Sequence, residues 1–152
     1  MKRKLSNQLI SAIICLYLTG CSSNTVIQHK YQSYLAEHKE ALTKLKDFAS
    51  SAPNGTIYDS SNIPPQQGKL MQGSKIIFIK AEESFSGVPR SVILAPENLT
   101  YFQPGRTQIC YFETPPPRYG KTIDSAPIVP ISNGNPIKLI KLEENWYLRI
   151  IQ

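Results

Sequence analysis

The apolar residues of positions 25–50 recur at intervals of three and four along the chain. They are Ile27, Tyr31, Tyr34, Leu35, Ala41, Leu42, Leu45 and Phe48. This spacing matches the turn of an α-helix, about 3.6 residues, and charged residues occupy most of the positions between them. No Gly or Pro interrupts the segment before Pro53, so the pattern predicts one amphipathic helix of about six turns.

Short apolar runs replace this pattern after Gly68. They cover residues 75–80, 91–95, 107–112, 137–142 and 146–151. The runs are rich in β-branched and aromatic residues and are separated by turn formers, which is typical of strands. The last two are joined by Glu143, Glu144 and Asn145 and form the clearest hairpin, with Trp146 expected to close one end of the core. The sequence therefore predicts a mainly β fold with one N-terminal amphipathic helix.

The predicted strands are too few and too short for a large sheet, so we expect a small antiparallel barrel or sandwich. Strand size alone makes a barrel of the Src-homology-3 type the first expectation. Residues 51–68 are rich in Ser, Asn, Gly and Pro and lack a periodic apolar pattern. This composition predicts a linker between the helix and a small β-rich domain at 69–152.

The beginning of the chain has the organisation of an export signal. Lys2, Arg3 and Lys4 form a positive start, and an apolar run follows at 9–18. The run is well short of the roughly 20 residues that a membrane-spanning helix needs, so cleavage is favoured over a permanent span. Without these three basic residues, 14 basic side chains face 11 acidic ones. That balance is too mild to indicate a nucleic-acid partner.

The signal ends in Leu18-Thr19-Gly20-Cys21, which resembles the lipobox of bacterial lipoproteins at all of its positions. The resemblance implies cleavage after Gly20, a diacylglycerol thioether on Cys21 and an N-acyl chain on the new amino group. Two or more acyl chains give stable anchoring to a membrane. An ordinary signal peptide that leaves Cys21 unmodified is the alternative.

The residue after the lipobox bears on location. In lipoproteins of the enteric type, Asp at that place resembles a signal for retention in the inner membrane, and this chain has Ser22. The resemblance therefore implies the periplasmic face of the outer membrane, with the inner membrane less favoured. The predicted organisation is a cleaved signal peptide at 1–20, the lipid anchor and helix at 21–50, the linker at 51–68 and the domain at 69–152.

The sequence contains no recognisable catalytic motif. His29 and His38 are nine positions apart, so they cannot form the i, i+4 metal pair of a helix. A carboxylate pair of glycosidase type is an alternative that sequence spacing does not test. We therefore predict neither enzymatic activity nor a cofactor beyond the covalent lipid. Cys110 is expected to be buried in a strand, with pairing to another chain as the alternative.

Two groups of side chains are candidate contacts with a partner. They are Tyr31, Leu35 and Leu42 on the predicted helix and Tyr101, Phe102 and Tyr119 on predicted loops. The apolar stripe of the helix has three interpretations: it packs on the protein's own domain, it pairs with a partner's helix, or it lies on the bilayer. The aromatic residues form either a binding surface or part of the core.

A lipid anchor, a helix and a small strand-rich domain resemble the accessory lipoproteins of envelope machines. The resemblance implies a non-enzymatic binding or assembly role in a secretion, conjugation or pilus system, with an envelope protein as partner and the membrane reached through the lipid. It is a likeness of architecture and not of a motif. The alternatives are a lipoprotein that binds peptidoglycan or another glycan, and a small inhibitor or exclusion lipoprotein.

Overall fold

The computed structural model describes residues 4–84, 87–97, 106–131 and 134–152, with the backbone alone for residues 4–23. Its elements are α1 (Lys4–Ser50), β1 (Ile57–Asp59), α2 (Pro65–Gly73), β2 (Ile76–Glu82), β3 (Ser91–Pro96), β4 (Thr107–Phe112), β5 (Ile128–Ile131), β6 (Gly134–Glu143) and β7 (Trp146–Ile151). The strands form one antiparallel sheet in the order β1-β2-β3-β4-β7-β6-β5. The predicted mainly β fold is confirmed at this level.

The sheet does not close into a barrel among the described residues. β1 pairs with β2 and β5 pairs with β6, and each of these outer strands has its second edge free of a strand partner. The prediction of a barrel is therefore wrong for this part of the chain, and the strand order does not confirm the Src-homology-3 type. The outer edge of β1 and the part of the β6 edge beyond β5 are covered locally.

The outer edge of β1 is covered by one side chain. Asn62 donates from Nδ2 to the carbonyl oxygen of Ile57 at 2.9 Å, and its Oδ1 accepts from the amide of Asp59 at 2.8 Å. The side-chain amide thus takes the donor and acceptor positions that a further strand would occupy. This edge is closed to pairing with another chain.

The edge of β6 beyond β5 is covered by the backbone of Gly120. Its amide donates to the carbonyl of Leu139 and its carbonyl accepts from the amide of Lys141, both at 2.9 Å. A Cβ on Gly120 would lie 2.4 Å from the Cα of Ala126, so no larger residue fits without movement of the backbone. β5 itself contains Pro130, which has no amide to offer a further strand.

Helix α1 is much longer than predicted. It begins at Lys4 and runs without a break to Ser50, so it includes the apolar run at 9–18 that the sequence assigned to the export signal. That run is apolar at nearly every position, and α1 as a whole therefore does not have one polar and one apolar face. The prediction of a separate N-terminal amphipathic helix is wrong in its start and in its character over the full length.

The second half of α1 lies on the sheet. Its buried residues are Ile27, Tyr31, Tyr34, Leu35, Leu42, Leu45 and Ala49. They share one hydrophobic cluster with Ile79, Leu94, Ile109, Ile140 and Leu148, one or more from each central strand. The spacing of three and four places the helical residues on one stripe, and the stripe packs on the protein's own sheet.

The opposite face of the sheet carries a second hydrophobic cluster. Its buried members are Val88, Ile93, Cys110, Phe112, Val129, Ile137, Leu139 and Tyr147. The predicted hairpin is confirmed as β6 and β7, and its strands contribute to both clusters because neighbouring side chains point to opposite faces. Asn145 makes the turn with φ 61°, a left-handed conformation that Asn tolerates. Trp146 lies in the cluster beneath α1.

The structure describes regular elements within residues 51–68, for which the sequence predicts a linker. These residues contain β1 and the first residues of α2. The amide of Gly55 donates to the carbonyl of Ala81 at 2.7 Å, and the carbonyl of Thr56 accepts from the amide of Ala81 at 3.0 Å. A strand of three residues is too short to show alternation in the sequence. The helix and the β-rich part are consequently one folded unit.

We expect Leu42→Ala to lower the free energy of unfolding by about 2–5 kcal/mol, because Leu42 is fully buried between α1 and the sheet. Urea denaturation followed by circular dichroism measures the change. Val26→Ala is the matched control, since Val26 is on the exposed side of the same helix and should change stability by less than about 0.5 kcal/mol. Equal effects of the two variants, or a cooperative melt of a fragment 69–152 that lacks α1, would contradict this packing.

Candidate functional site

The end of the domain nearest Cys21 is held to α1 by polar contacts on successive turns. Asn24 donates from Nδ2 to Oδ1 of Asp124 at 2.7 Å, and Gln28 donates from Nε2 to the carbonyl of Lys121 at 2.8 Å. One turn further on, the Tyr31 hydroxyl donates to a Thr in β4 at 2.6 Å. These bonds connect α1 to the loop before β5 and to the first residue of β4.

Cys21 lies in α1, three residues before Asn24, which is about 4.5 Å along the helix axis. Its side chain is outside the described part of the chain. The backbone of α1 connects Cys21 to Asn24 without a break in the helix. Among the residues that the structure describes, no helix is long and apolar enough to cross a membrane.

The structure separates the sequence-predicted contact residues into three groups. Tyr31, Leu35 and Leu42 are 1%, 1% and 0% exposed and belong to the cluster beneath α1. They are core residues here, because the stripe packs on the protein's own sheet and not on a partner. Tyr119 is 38% exposed and lies at the other face of the sheet. Tyr101 and Phe102 lie outside the described residues.

Tyr119 forms the outer end of an aromatic group. Its ring lies 5.4 Å from the ring of Tyr147, and the ring of Phe112 lies 5.4 Å from Tyr147 on another side. Lys141 places its Nζ 5.8 Å from the centre of the Tyr119 ring. Both sequence interpretations of the aromatic residues thus apply, because Phe112 and Tyr147 are core residues whereas Tyr119 offers an exposed edge.

The Tyr147 hydroxyl is buried without a hydrogen-bond partner in the described part of the chain. Burial raises the pKa of this phenol, and Tyr119 beside it raises it further. The hydroxyl is consequently neutral at physiological pH. It lies under Tyr119 and gives the aromatic group one unused polar atom.

A buried ion pair lies on the same face of the sheet. Arg149 Nη1 is 2.6 Å from Glu82 Oε2, and the two side chains are 10% and 14% exposed. Lys80 adds a second contact, with its Nζ 3.2 Å from Glu82 Oε1. Arg149 is on β7 and Glu82 is on β2, with β3 and β4 between them.

The distance between those strands shows that the sheet is bent. Three strand spacings of a flat sheet amount to about 14 Å, and side chains stand roughly perpendicular to the sheet, so Arg149 and Glu82 would not meet. Their contact at 2.6 Å requires β2 and β7 to approach across the face opposite α1. Sequence reasoning missed this pair because its members are 67 positions apart. The one available signal was a basic residue inside the otherwise apolar run of β7.

Cys110 is buried in β4 beside this ion pair. It is a free thiol with no exposed surface, as the sequence predicted. Burial raises its pKa to about 12, although Arg149 acts in the opposite direction. The thiol is therefore protonated at neutral pH and is a poor nucleophile, and pairing with another chain would require the sheet to open.

The described carboxylates and histidines are dispersed. No group of three His, Cys, Asp or Glu in the described ranges is arranged to hold a metal ion. Glu82 is engaged by Arg149, Glu143 pairs with Lys39, and the ring of His38 packs 4.7 Å from that of Tyr34. The absence of enzymatic activity stays a prediction.

Comparison of the chain with protein-family models, with curated proteins and with solved structures gave no match.

We expect Arg149→Leu to lower the free energy of unfolding by about 3–5 kcal/mol at pH 7, because it leaves the Glu82 carboxylate buried without its main partner. The double variant Arg149→Leu/Glu82→Leu should recover much of that loss. Urea titration gives both values. Lys44→Gln is the control: it breaks the exposed pair of Lys44 with Glu40 and should cost at most about 0.5 kcal/mol. An Arg149 variant as stable as this control would show that the ion pair does not hold the bent sheet.

Proposed function

We propose that this chain is a bacterial lipoprotein, anchored through acyl chains on Cys21 at the periplasmic face of the outer membrane. There it acts as a non-enzymatic accessory that binds or assembles components of a cell-envelope machine, such as a secretion, conjugation or pilus system. The observation that carries the proposal is the lipobox-like Leu18-Thr19-Gly20-Cys21, which directly precedes the part of α1 that is built into the domain core.

The packing of α1 supports a role in docking. A domain joined to its lipid by a flexible tether samples many orientations, whereas here the first contacts of α1 with the loop before β5 occur within a few residues of Cys21. In this proposal, α1 itself joins the anchor to the domain. Such an arrangement presents the same surface to a partner in the membrane each time, and this reduces the entropy lost on binding.

The partner surface is expected away from α1. Tyr31, Leu35 and Leu42 are buried, so a partner could reach them only after the core opened. Among the predicted contacts that the structure describes, Tyr119 is the solvent-exposed one, and Lys141 and the ring of Tyr147 lie next to it. Tyr is among the residue types that are enriched at energetically important positions in protein interfaces. We therefore place the partner contact at Tyr119.

We expect Cys21→Ser to release the protein from membranes or to leave an uncleaved precursor, because the acyl chains contribute about 0.8 kcal/mol per buried methylene. Membrane fractionation combined with labelled palmitate measures both results. Ser22→Ala is the control and should leave labelling and fractionation unchanged. Incorporation of palmitate into the Cys21→Ser chain, or its full processing and retention in the membrane, would be incompatible with the proposal.

Replacement of Tyr119 by Ser should weaken co-purification with an envelope protein by roughly 5- to 30-fold, since exposed aromatic anchors contribute about 1–2 kcal/mol to interfaces. Chemical cross-linking in intact cells followed by mass spectrometry identifies and quantifies the partner. Ile57→Ser serves as the control, because Ile57 is exposed at the far edge of the sheet. Unchanged cross-linking of Tyr119→Ser would exclude this contact, and recovery of the protein with glycan sacculi alone would favour the glycan-binding alternative.

A further inference from the structure

Charged side chains are unevenly distributed between the two ends of the domain. The two ends are defined by α1. The near end is the one at Gln28 and Tyr31, close to Cys21, and the far end is the one at Ser50. Toward the far end, acids and lysines alternate and pair: Glu40 with Lys44, Asp47 with Lys46 and Glu143 with Lys39, while Glu113 lines a surface pocket with Ser50. The near end has a different composition.

The near end is formed by the loop before β5 and by the adjoining ends of β4, β7 and β6. The carbonyl of Lys121 accepts from Gln28, and Lys138 donates from Nζ to the carbonyl of Ile123 at 3.2 Å. Arg106 immediately precedes β4, and its carbonyl accepts from the amide of Ile151 at 2.8 Å. Of these three basic residues, Lys121 contacts α1 directly through Gln28, and Lys138 and Arg106 lie on the neighbouring loop and strand ends.

One exposed apolar residue belongs to the same surface. Ile128 is 56% exposed, and it pairs across strands with Lys138. The described acids at this end are Asp124, whose carboxylate accepts from Asn24, and the exposed Glu97, which follows β3 and whose amide donates to the carbonyl of Lys75 at 2.6 Å. We call the surface formed by Arg106, Lys121, Lys138 and Ile128 the basic rim.

We propose that the basic rim is a second membrane contact, on which the domain leans against anionic phospholipid headgroups beside its lipid anchor. The proposal rests on the anchoring of Cys21 proposed above. Lys and Arg side chains close to an anionic bilayer are attracted to it, and the attraction decays within a Debye length of about 8 Å at physiological salt. The lipid on Cys21 holds the rim near that range, and Ile128 can enter the boundary between headgroups and acyl chains.

The charge distribution also determines the orientation. A domain that leaned on its far end would bring Glu37, Glu40 and Glu143 toward the anionic surface, and the lysines there already pair with acids, so that end offers no surplus of positive charge. Contact through the basic rim leaves these acids and the exposed Tyr119 accessible above the membrane. Contact through the basic rim thus limits the orientations that the domain adopts around its anchor.

The test uses the lipidated protein in vesicles of phosphatidylcholine, with or without anionic phosphatidylglycerol. Ile128→Cys carries an environment-sensitive fluorophore, which labels that position because Cys110 is buried. Glu144→Cys, at the exposed turn of the β6–β7 hairpin, carries the same fluorophore as the far-end control. A headgroup-attached quencher should quench the probe at 128 strongly in anionic vesicles, weakly in neutral ones and at high salt, and should leave the probe at 144 unquenched in both.

A charge variant tests the cause of the contact. Arg106→Gln/Lys121→Gln should lower the ratio of docked to undocked protein by roughly fivefold per removed charge. Lys44→Gln/Lys69→Gln is the control, because it removes the same net charge from exposed positions away from the rim. The proposal would be overturned by equal quenching at 128 and 144, by quenching at 128 that does not depend on lipid charge, or by equal effects of the two double variants.

Flotation with neutral vesicles separates this proposal from the one on which it rests. Protein that floats with neutral vesicles is anchored by its lipid whatever the rim does. Protein that does not float there contradicts anchoring through Cys21, and flotation with anionic vesicles then tests the rim alone. If the unanchored protein then floats with anionic vesicles and its Arg106→Gln/Lys121→Gln variant does not, the result supports the basic rim. If the unanchored protein does not float with anionic vesicles, the basic rim is excluded.

Discussion

Burial of one stripe of α1 against the sheet is the interaction on which the arrangement of this protein depends. Tyr31, Leu35, Leu42 and Leu45 are almost completely removed from solvent, and each large apolar side chain buried in this way contributes about 1.5–3 kcal/mol before entropy is considered. The stripe covers one face of the sheet, fixes the direction of the helix across it and places Cys21 at one end of the domain. The position of Cys21 relative to the domain is thus a consequence of core packing.

The other face of the sheet is buried in a different way. A sheet with one helical layer leaves its second face open to water, and here that face becomes a second core because the sheet bends. The contact of Arg149 with Glu82 spans the bend, and it is shielded together with Cys110 and Phe112. A charged pair at such a place stabilises the bend only when both partners are present, since a single buried charge is costly. Tyr119 also packs on this bent face.

The two proposals concern opposite sides of the folded unit. The stripe of α1 and its polar contacts with Asp124 and Lys121 hold the basic rim next to the anchor. The second core supports Tyr119 through Tyr147 and places it away from the helix. Attachment to the membrane and contact with a partner would therefore use separate surfaces of one folded unit, and changes in one need not disturb the other.

The sequence by itself determined the local features. The spacing of three and four between Ile27 and Phe48 predicted helix, the β-branched runs predicted most of the strands, and Glu143 to Asn145 predicted the last hairpin, because each of these patterns reflects the repeat of a single element. Burial of Cys110 followed in the same way from its place in an apolar run. The lipobox-like segment is also local, so its interpretation needs no tertiary information.

Only the tertiary structure decided which surfaces those elements use. The sequence left three interpretations of the apolar stripe of α1, and in the structure the stripe packs on the sheet. The short β1, the cover that Asn62 makes over its edge, and the contact of Arg149 with Glu82 have no periodic signal, because they join residues through the fold and not along the chain. The basic rim is the same kind of feature. Arg106, Lys121 and Lys138 are dispersed in sequence, and they share a surface because antiparallel strands return the chain repeatedly to the end where α1 enters the core.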